Sequence, residues 1–115
     1  MEKRVFIINK SSHDFEPAQK FGTLIYLSEG KYSRYDVNAI YREFNDKLST
    51  SSPDDYLLLT GLPIMQGVAM MIMAIRHGRV NLLQFRQKED RAFYLERNII
   101  VDKGEGESDA KEDKM

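Results

Sequence analysis

The residues of this chain that could do chemistry gather in three polar stretches, each shortly after an apolar run. Asn9-Lys10-Ser11-Ser12-His13 follows Val5-Phe6-Ile7-Ile8, Lys31-Tyr32-Ser33-Arg34 comes after Thr23–Leu27, and Thr60-Gly61 closes Tyr56–Leu59. Lysine, arginine and hydroxyl groups set beside free backbone N–H groups suit an anion, a phosphate above all. Histidine is the residue type suited to proton transfer at neutral pH, and His13 has hydroxyls beside it, which fits a general base or a phosphate ligand. Its competing role is a turn residue before a helix capped by Asp14. Ser12-His13-Asp14 is not a triad, because consecutive side chains in a loop do not converge in the needed geometry. Tyr32 and Tyr35 bracket Ser33-Arg34, an arrangement able to stack on a planar ring while Arg34 holds phosphate. Ser11, Ser33 and Thr60 have competing roles as turn or capping residues.

The expected ligand-binding set is therefore Asn9, Lys10, Ser11, Ser12, Lys31, Tyr32, Ser33, Arg34, Thr60 and Gly61. His13, Lys10 and Lys31 would be the catalytic residues of an enzyme. No G-x-G-x-x-G and no Walker A lysine motif is present, so no motif requires catalysis and no cofactor is expected. The absence of cysteine excludes disulfide scaffolds, zinc ribbons and thiol catalysis. Two histidines, His13 and His77, do not build the common metal sites. Asp14 and Asp36 both have capping explanations, so no metal site is expected.

At 115 residues the chain is one domain by length, with 42% apolar and 30% charged residues. Its net charge of -1 argues against dedicated nucleic-acid binding. That balance hides an asymmetry. Residues 102–115 hold six acids against three lysines, leaving twelve acids and fourteen bases in residues 1–101. Residues 102–115 are too poor in apolar side chains to bury a core and read as a disordered acidic tail. No secretory signal opens the chain, so a cytoplasmic location is expected.

The elements that must position the polar stretches follow from hydrophobic spacing. Strands are predicted near 4–8, 23–27, 56–60, 80–85 and 92–97, and helices near 14–21, 35–48 and 63–77. Asp14 is expected to cap the first helix and Gly22 to end it. Ser33-Arg34-Tyr35-Asp36 reads as a capping box for the second helix, whose apolar stripe is Val37, Ile40, Tyr41, Phe44 and Leu48. Arg86 to Arg91 is a charged turn in a closing antiparallel hairpin. The result is a single-domain α/β, Rossmann-like layer fold over residues 1–101, with a mostly parallel sheet of about five strands and a C-terminal antiparallel hairpin. In such sheets ligands bind beyond the carboxyl ends of the strands, where the polar stretches fall.

Ten of the twelve residues from Ile64 to Ile75 are apolar, too short a run to span a bilayer. Val68, Met71, Ile72 and Ile75 are expected to face the sheet. Met65, Ala69 and Met73 would then need another helix or another chain: helix 63–77 is either the central core helix, or a homodimer forms through that face.

The strand end Asp55-Tyr56-Leu57-Leu58-Leu59-Thr60-Gly61, the small-residue helix closed by His77-Gly78, and Leu82-Leu83 resemble small uncharacterised α/β proteins of phages and prophages, over roughly residues 14–97. The resemblance implies a phage setting within the host cytoplasm. Its motifs are structural, so it implies no site. The leading expectation is a non-catalytic binding protein holding a nucleotide-like or other phosphorylated small molecule. The alternatives are a protein-interaction or inhibitor module working through helix 63–77 and the 86–91 hairpin, and a small phosphoesterase-like enzyme.

Overall fold

Val5, Phe6, Ile7 and Ile8 are each at most 1% exposed, and a run with no polar face has to be covered on both sides. The computed structural model describes residues 2–29 and 36–101 and places this run inside a five-stranded sheet. The strands are β1 (Arg4–Ile7), β2 (Thr23–Tyr26), β3 (Tyr56–Leu58), β4 (Arg79–Lys88) and β5 (Arg91–Ile100). Their spatial order is β2-β1-β3-β4-β5. β1 runs parallel to β2 and β3, β3 parallel to β4, and β4 antiparallel to β5. This is the expected α/β architecture, a mostly parallel sheet ending in an antiparallel hairpin.

Alternation along the strands splits the core into two layers. Phe6, Leu57 and Leu82 meet Ile40 and Phe44 of helix α1 (Val37–Lys47) and Met65, Val68, Ala69, Ile72 and Met73 of helix α2 (Pro63–His77). On the other face Val5, Ile7, Leu58, Leu83 and Tyr94 lie under Phe15 and Ala18. No helix among the described residues is long and apolar enough to cross a membrane.

Several local expectations change. The first helix is a short 3-10 segment, Glu16–Phe21. Phe15 and Ala18 are its buried pair, the i, i+3 spacing that a 3-10 turn aligns. The Asp14 carboxylate accepts from the Glu16 N–H at 3.0 Å and sets the turn. Gly22 is required for close approach: a Cβ there would lie 2.5 Å from the Lys3 carbonyl oxygen. Asp36 itself is the N-cap of α1, accepting from the Ala39 N–H at 3.4 Å, whereas Ser33 lies outside the described residues. Val37 and Tyr41 fall off the buried stripe of α1, at 38% and 40% exposure. The hairpin is longer than expected and turns at Glu89-Asp90, with Glu89 at a φ of 57°. The acidic segment 102–115 lies outside the described residues.

The facing of α2 is corrected. Met65, Ala69 and Met73 are at most 1% exposed within their own chain, whereas Met71 and Ile75 are 45% and 76% exposed. The reason is that α2 packs against α1 as well as the sheet, so its covered arc includes the side that was expected to be free. A dimer through Met65, Ala69 and Met73 is thereby excluded.

Polar groups fasten the opposite edge of the sheet. Asp55 is 1% exposed and accepts from the backbone N–H of Arg4 at 2.9 Å and of Ser52 at 2.8 Å. The Arg4 guanidinium pairs with the same carboxylate at 3.2 Å. The Asn81 amide donates to the carbonyl oxygens of Pro53 at 2.8 Å and Asp55 at 3.1 Å, tying β4 to the same turn. His77 Nε2 lies 2.9 Å from Ser51 Oγ. Burial pushes its pKa below 6.5, the adjacent Arg76 charge adds to this, and Asp55 opposes it.

Two outcomes follow. Asp55→Ala leaves the Arg4 charge and two N–H groups without their acceptor, and it should cost about 3 kcal/mol in urea denaturation. For His77 the folded state disfavours the proton, so its contribution is present above pH 6.5 and is lost as pH falls through the lower folded value. The urea midpoint should fall between about pH 7 and about pH 5.5, and by less in His77→Gln.

Candidate functional site

The chain leaves β1 toward β2 on one side and leaves β3 toward β4 on the other. The first connection crosses the face carrying the 3-10 segment, and the second crosses the face carrying α2. The two loops therefore diverge at the carboxyl ends of β1 and β3, where a crevice opens in sheets of this kind.

Several expected residues build the edge of that crevice. The Ser28 hydroxyl donates to the Ile8 carbonyl oxygen at 2.7 Å and lies 2.8 Å from Asn9 Oδ1. Gly61 has a φ of 91°, and a Cβ there would come within 3.0 Å of the Asn9 Cβ, so glycine brings the two loops together. Lys10 bridges to Glu29 in the backbone, and its Nζ sits 5.2 Å from the centre of the Tyr26 ring. Leu62 precedes α2 without a side-chain cap, and Pro63 has no N–H to give. The positive end of a fifteen-residue helix thus opens beside Gly61.

Next to this edge, on the face with the 3-10 segment, is a cleft of about 240 Å³. Ser11, His13, Phe15, Leu58, Leu59, Thr60, Phe85 and Tyr94 line it. The volume accommodates a ring-sized group and is below the roughly 300 Å³ at which sites for whole small molecules begin. His13 stands between Phe15 and Phe85, with ring centres at 5.4 Å and 5.1 Å. The Phe85 contact is edge-on, and Phe85 in turn meets Tyr94 at 5.6 Å. Backbone N–H of His13 donates to Ser11 Oγ at 3.2 Å and fixes the loop.

Tyr94 is 5% exposed, and its hydroxyl has no hydrogen-bond partner among the described residues. Burial raises its pKa above 10.0, and the Asp14 charge raises it further, so the hydroxyl keeps its proton. Leaving such a group unpaired costs about 1–3 kcal/mol, and folded proteins rarely do so. A more open cleft of about 510 Å³ lies at the other edge of the sheet, around Lys3, Lys20 and Phe21. Neither of the unpaired buried side-chain atoms found among the described residues lines it.

The structure thus brings Ser11, Thr60 and His13 together and places Asn9, Lys10 and Gly61 along the adjoining edge. Ser12 is exposed. Lys31, Tyr32, Ser33 and Arg34 lie outside the described residues. Sequence reasoning missed the aromatic walls, Phe15, Phe85 and Tyr94. The only local signal was Leu83 and Phe85 at i, i+2, which a longer β4–β5 ladder puts on one face with Tyr94.

Tyr94→Phe removes a buried hydroxyl that makes no hydrogen bond to any described residue. It should leave the apo protein as stable as the parent or more stable by about 1 kcal/mol in chemical denaturation. A loss of about 1 kcal/mol would mean that the hydroxyl has a partner.

A family model described as Phage Pam3 gp32-like protein matches residues 3–99, which takes in every strand but the last residue of β5 and both helices. No curated protein and no solved structure matches the chain. The match covers most of the chain and every described residue assigned to the cleft, and the chain belongs to the family of Phage Pam3 gp32-like proteins.

Proposed function

We propose that this protein is a non-catalytic binding protein that holds a nucleotide-like ligand at the carboxyl edge of its sheet. The observation that carries the reading is the Tyr94 hydroxyl, a buried and protonated donor that has no partner among the described residues and lies in the wall of an aromatic cleft. A ligand acceptor reaching that hydroxyl would remove its desolvation penalty. The cleft is lined by the rings of His13, Phe15, Phe85 and Tyr94, and such walls suit a planar ring.

The phosphate of such a ligand belongs outside the cleft. Asp14 already acts on Tyr94, which disfavours a second negative charge beside it. The uncapped start of α2 and the Lys10 ammonium offer positive potential on the adjoining rim. A phosphoesterase reading has less support. The His13 imidazole makes ring contacts with Phe15 and Phe85, an arrangement that packs the ring and does not aim it at a nucleophile.

The test is thermal unfolding of the full chain against nucleoside mono- and diphosphates and cyclic oligonucleotides, with mass spectrometry of whatever copurifies. A ligand at a hundredfold its Kd should add about 2.7 kcal/mol of stability. Tyr94→Phe and His13→Ala should lose most of that gain, and inorganic phosphate alone should give little of it. The reading fails if no member of the panel shifts the transition, or if both variants keep the full shift.

A further inference from the structure

β5 is the last strand of the sheet, and among the described residues nothing pairs with its outer edge. All ten of its residues pair in unbroken register with β4, so the edge is regular along its whole length. It has no proline and no bulge, two devices that keep edge strands from pairing. Ile99 and Ile100 stand 42% and 49% exposed at its end. We propose that a second copy of this chain pairs with it, β5 antiparallel to β5, about a two-fold axis passing at Leu95.

The register follows from symmetry and charge. A two-fold axis normal to the sheet keeps the two faces distinct, so facing residues must point the same way and the axis must pass through a residue position. An axis at Leu95 sets Leu95 against itself, Phe93 against Arg97, Tyr94 against Glu96 and Arg91 against Ile99, and no like charges meet. An axis at Glu96 places two carboxylates face to face, and one at Arg97 places two guanidinium groups face to face. An axis at Tyr94 sets Arg91 against Arg97. Like charges directly opposite destabilise a strand pair. Registers displaced further shorten the ladder. The Leu95 axis uses residues 91–99 of both copies and adds about eight to ten main-chain hydrogen bonds.

The apolar surface agrees with this seam. Leu95 and Ile99 sit opposite Gln84 and Val80, so they point to the face that carries α2. Ile64, Met71 and Ile75 form one exposed stripe on α2, at i, i+7 and i+11. On the helical wheel it lies across from Met73 and His77, outside the arc buried against α1 and the sheet. Joining two copies at β5 brings Leu95 and Ile99 of both copies onto one seam on the α2 face, reducing an apolar surface that each copy leaves open.

The chain contains no cysteine, so a single introduced thiol reports one contact. Opposed Cα atoms in an antiparallel pair are about 4.5–5.5 Å apart, within disulfide reach. The full chain should have the mass of a dimer in light scattering at about 50 µM. Leu95→Cys should give a disulfide-linked dimer on mild oxidation, and Glu96→Cys should give little. Phe93→Cys mixed with Arg97→Cys should cross-link to each other in preference to themselves. Leu95→Lys, which sets two ammonium groups on the axis, should run as a monomer with the parent's circular dichroism. A wild-type chain that stays monomeric at several hundred micromolar overturns the proposal. So does a dimer in which Leu95→Cys stays reduced.

Discussion

The need to cover β1 and β3 on both faces governs the rest of this molecule. Val5, Phe6, Ile7, Leu57 and Leu58 leave almost no surface exposed, and they alternate between two separate clusters. One layer of helices cannot satisfy both faces. The chain therefore sends its first connection across one face and its next two across the other. The crevice at the carboxyl ends of β1 and β3 is a by-product of that division. Burial thus decides where a ligand edge exists before any polar residue has been chosen.

Both edges of the sheet carry buried polar groups. At the amino edge Asp55, Arg4, Ser52 and Asn81 satisfy one another, with the carboxylate at 1% exposure and its oxygens shared among backbone and guanidinium donors. Breaking one member leaves charge or donors stranded, which makes this edge a fastening. At the carboxyl edge the Tyr94 hydroxyl has no partner among the described residues, and at the amino edge, beside Asn81, neither has Arg79 Nε. An unpaired donor alone therefore does not single out one edge. Tyr94 differs in that it lines a cleft.

Much of the fold was legible in the sequence because burial on both faces writes itself as an uninterrupted apolar run. Val5-Phe6-Ile7-Ile8 and Tyr56-Leu57-Leu58-Leu59 are of this kind, and both are strands where expected. The facing of α2 was not legible. A helix apolar all round has no periodicity to orient it, so Met65 and Met71 look alike until α1 is in place. The site was half legible. Ser11, His13 and Thr60 declared themselves as polar residues after strands, a local signal. The walls of the cleft come from Phe15, Phe85 and Tyr94, which are far apart in the chain and meet through the β4–β5 register. The charges of Arg86, Lys88 and Arg91 masked that register, because past the end of the sheet the apolar alternation is down to Phe85 on β4 and Tyr94 on β5.

β5 joins the two proposals physically. Successive side chains on a strand point to opposite faces. Tyr94 points to the face with the cleft, and Leu95 points to the face with α2. Any force that straightens or twists β5 moves both, since the ladder to β4 is unbroken over ten residues. A second copy on the outer edge would hold the backbone at Tyr94 between two strands, with Glu96 of that copy opposite it. The cleft would then be braced on its outer side by the same ladder that braces it from β4. The exposed stripe Ile64, Met71 and Ile75 lies on the other face from the cleft. On this geometry assembly would bring the Glu96 carboxylate of the second copy toward the wall that Asp14 already makes negative at Tyr94, which reinforces the placement of a ligand's phosphate outside the cleft.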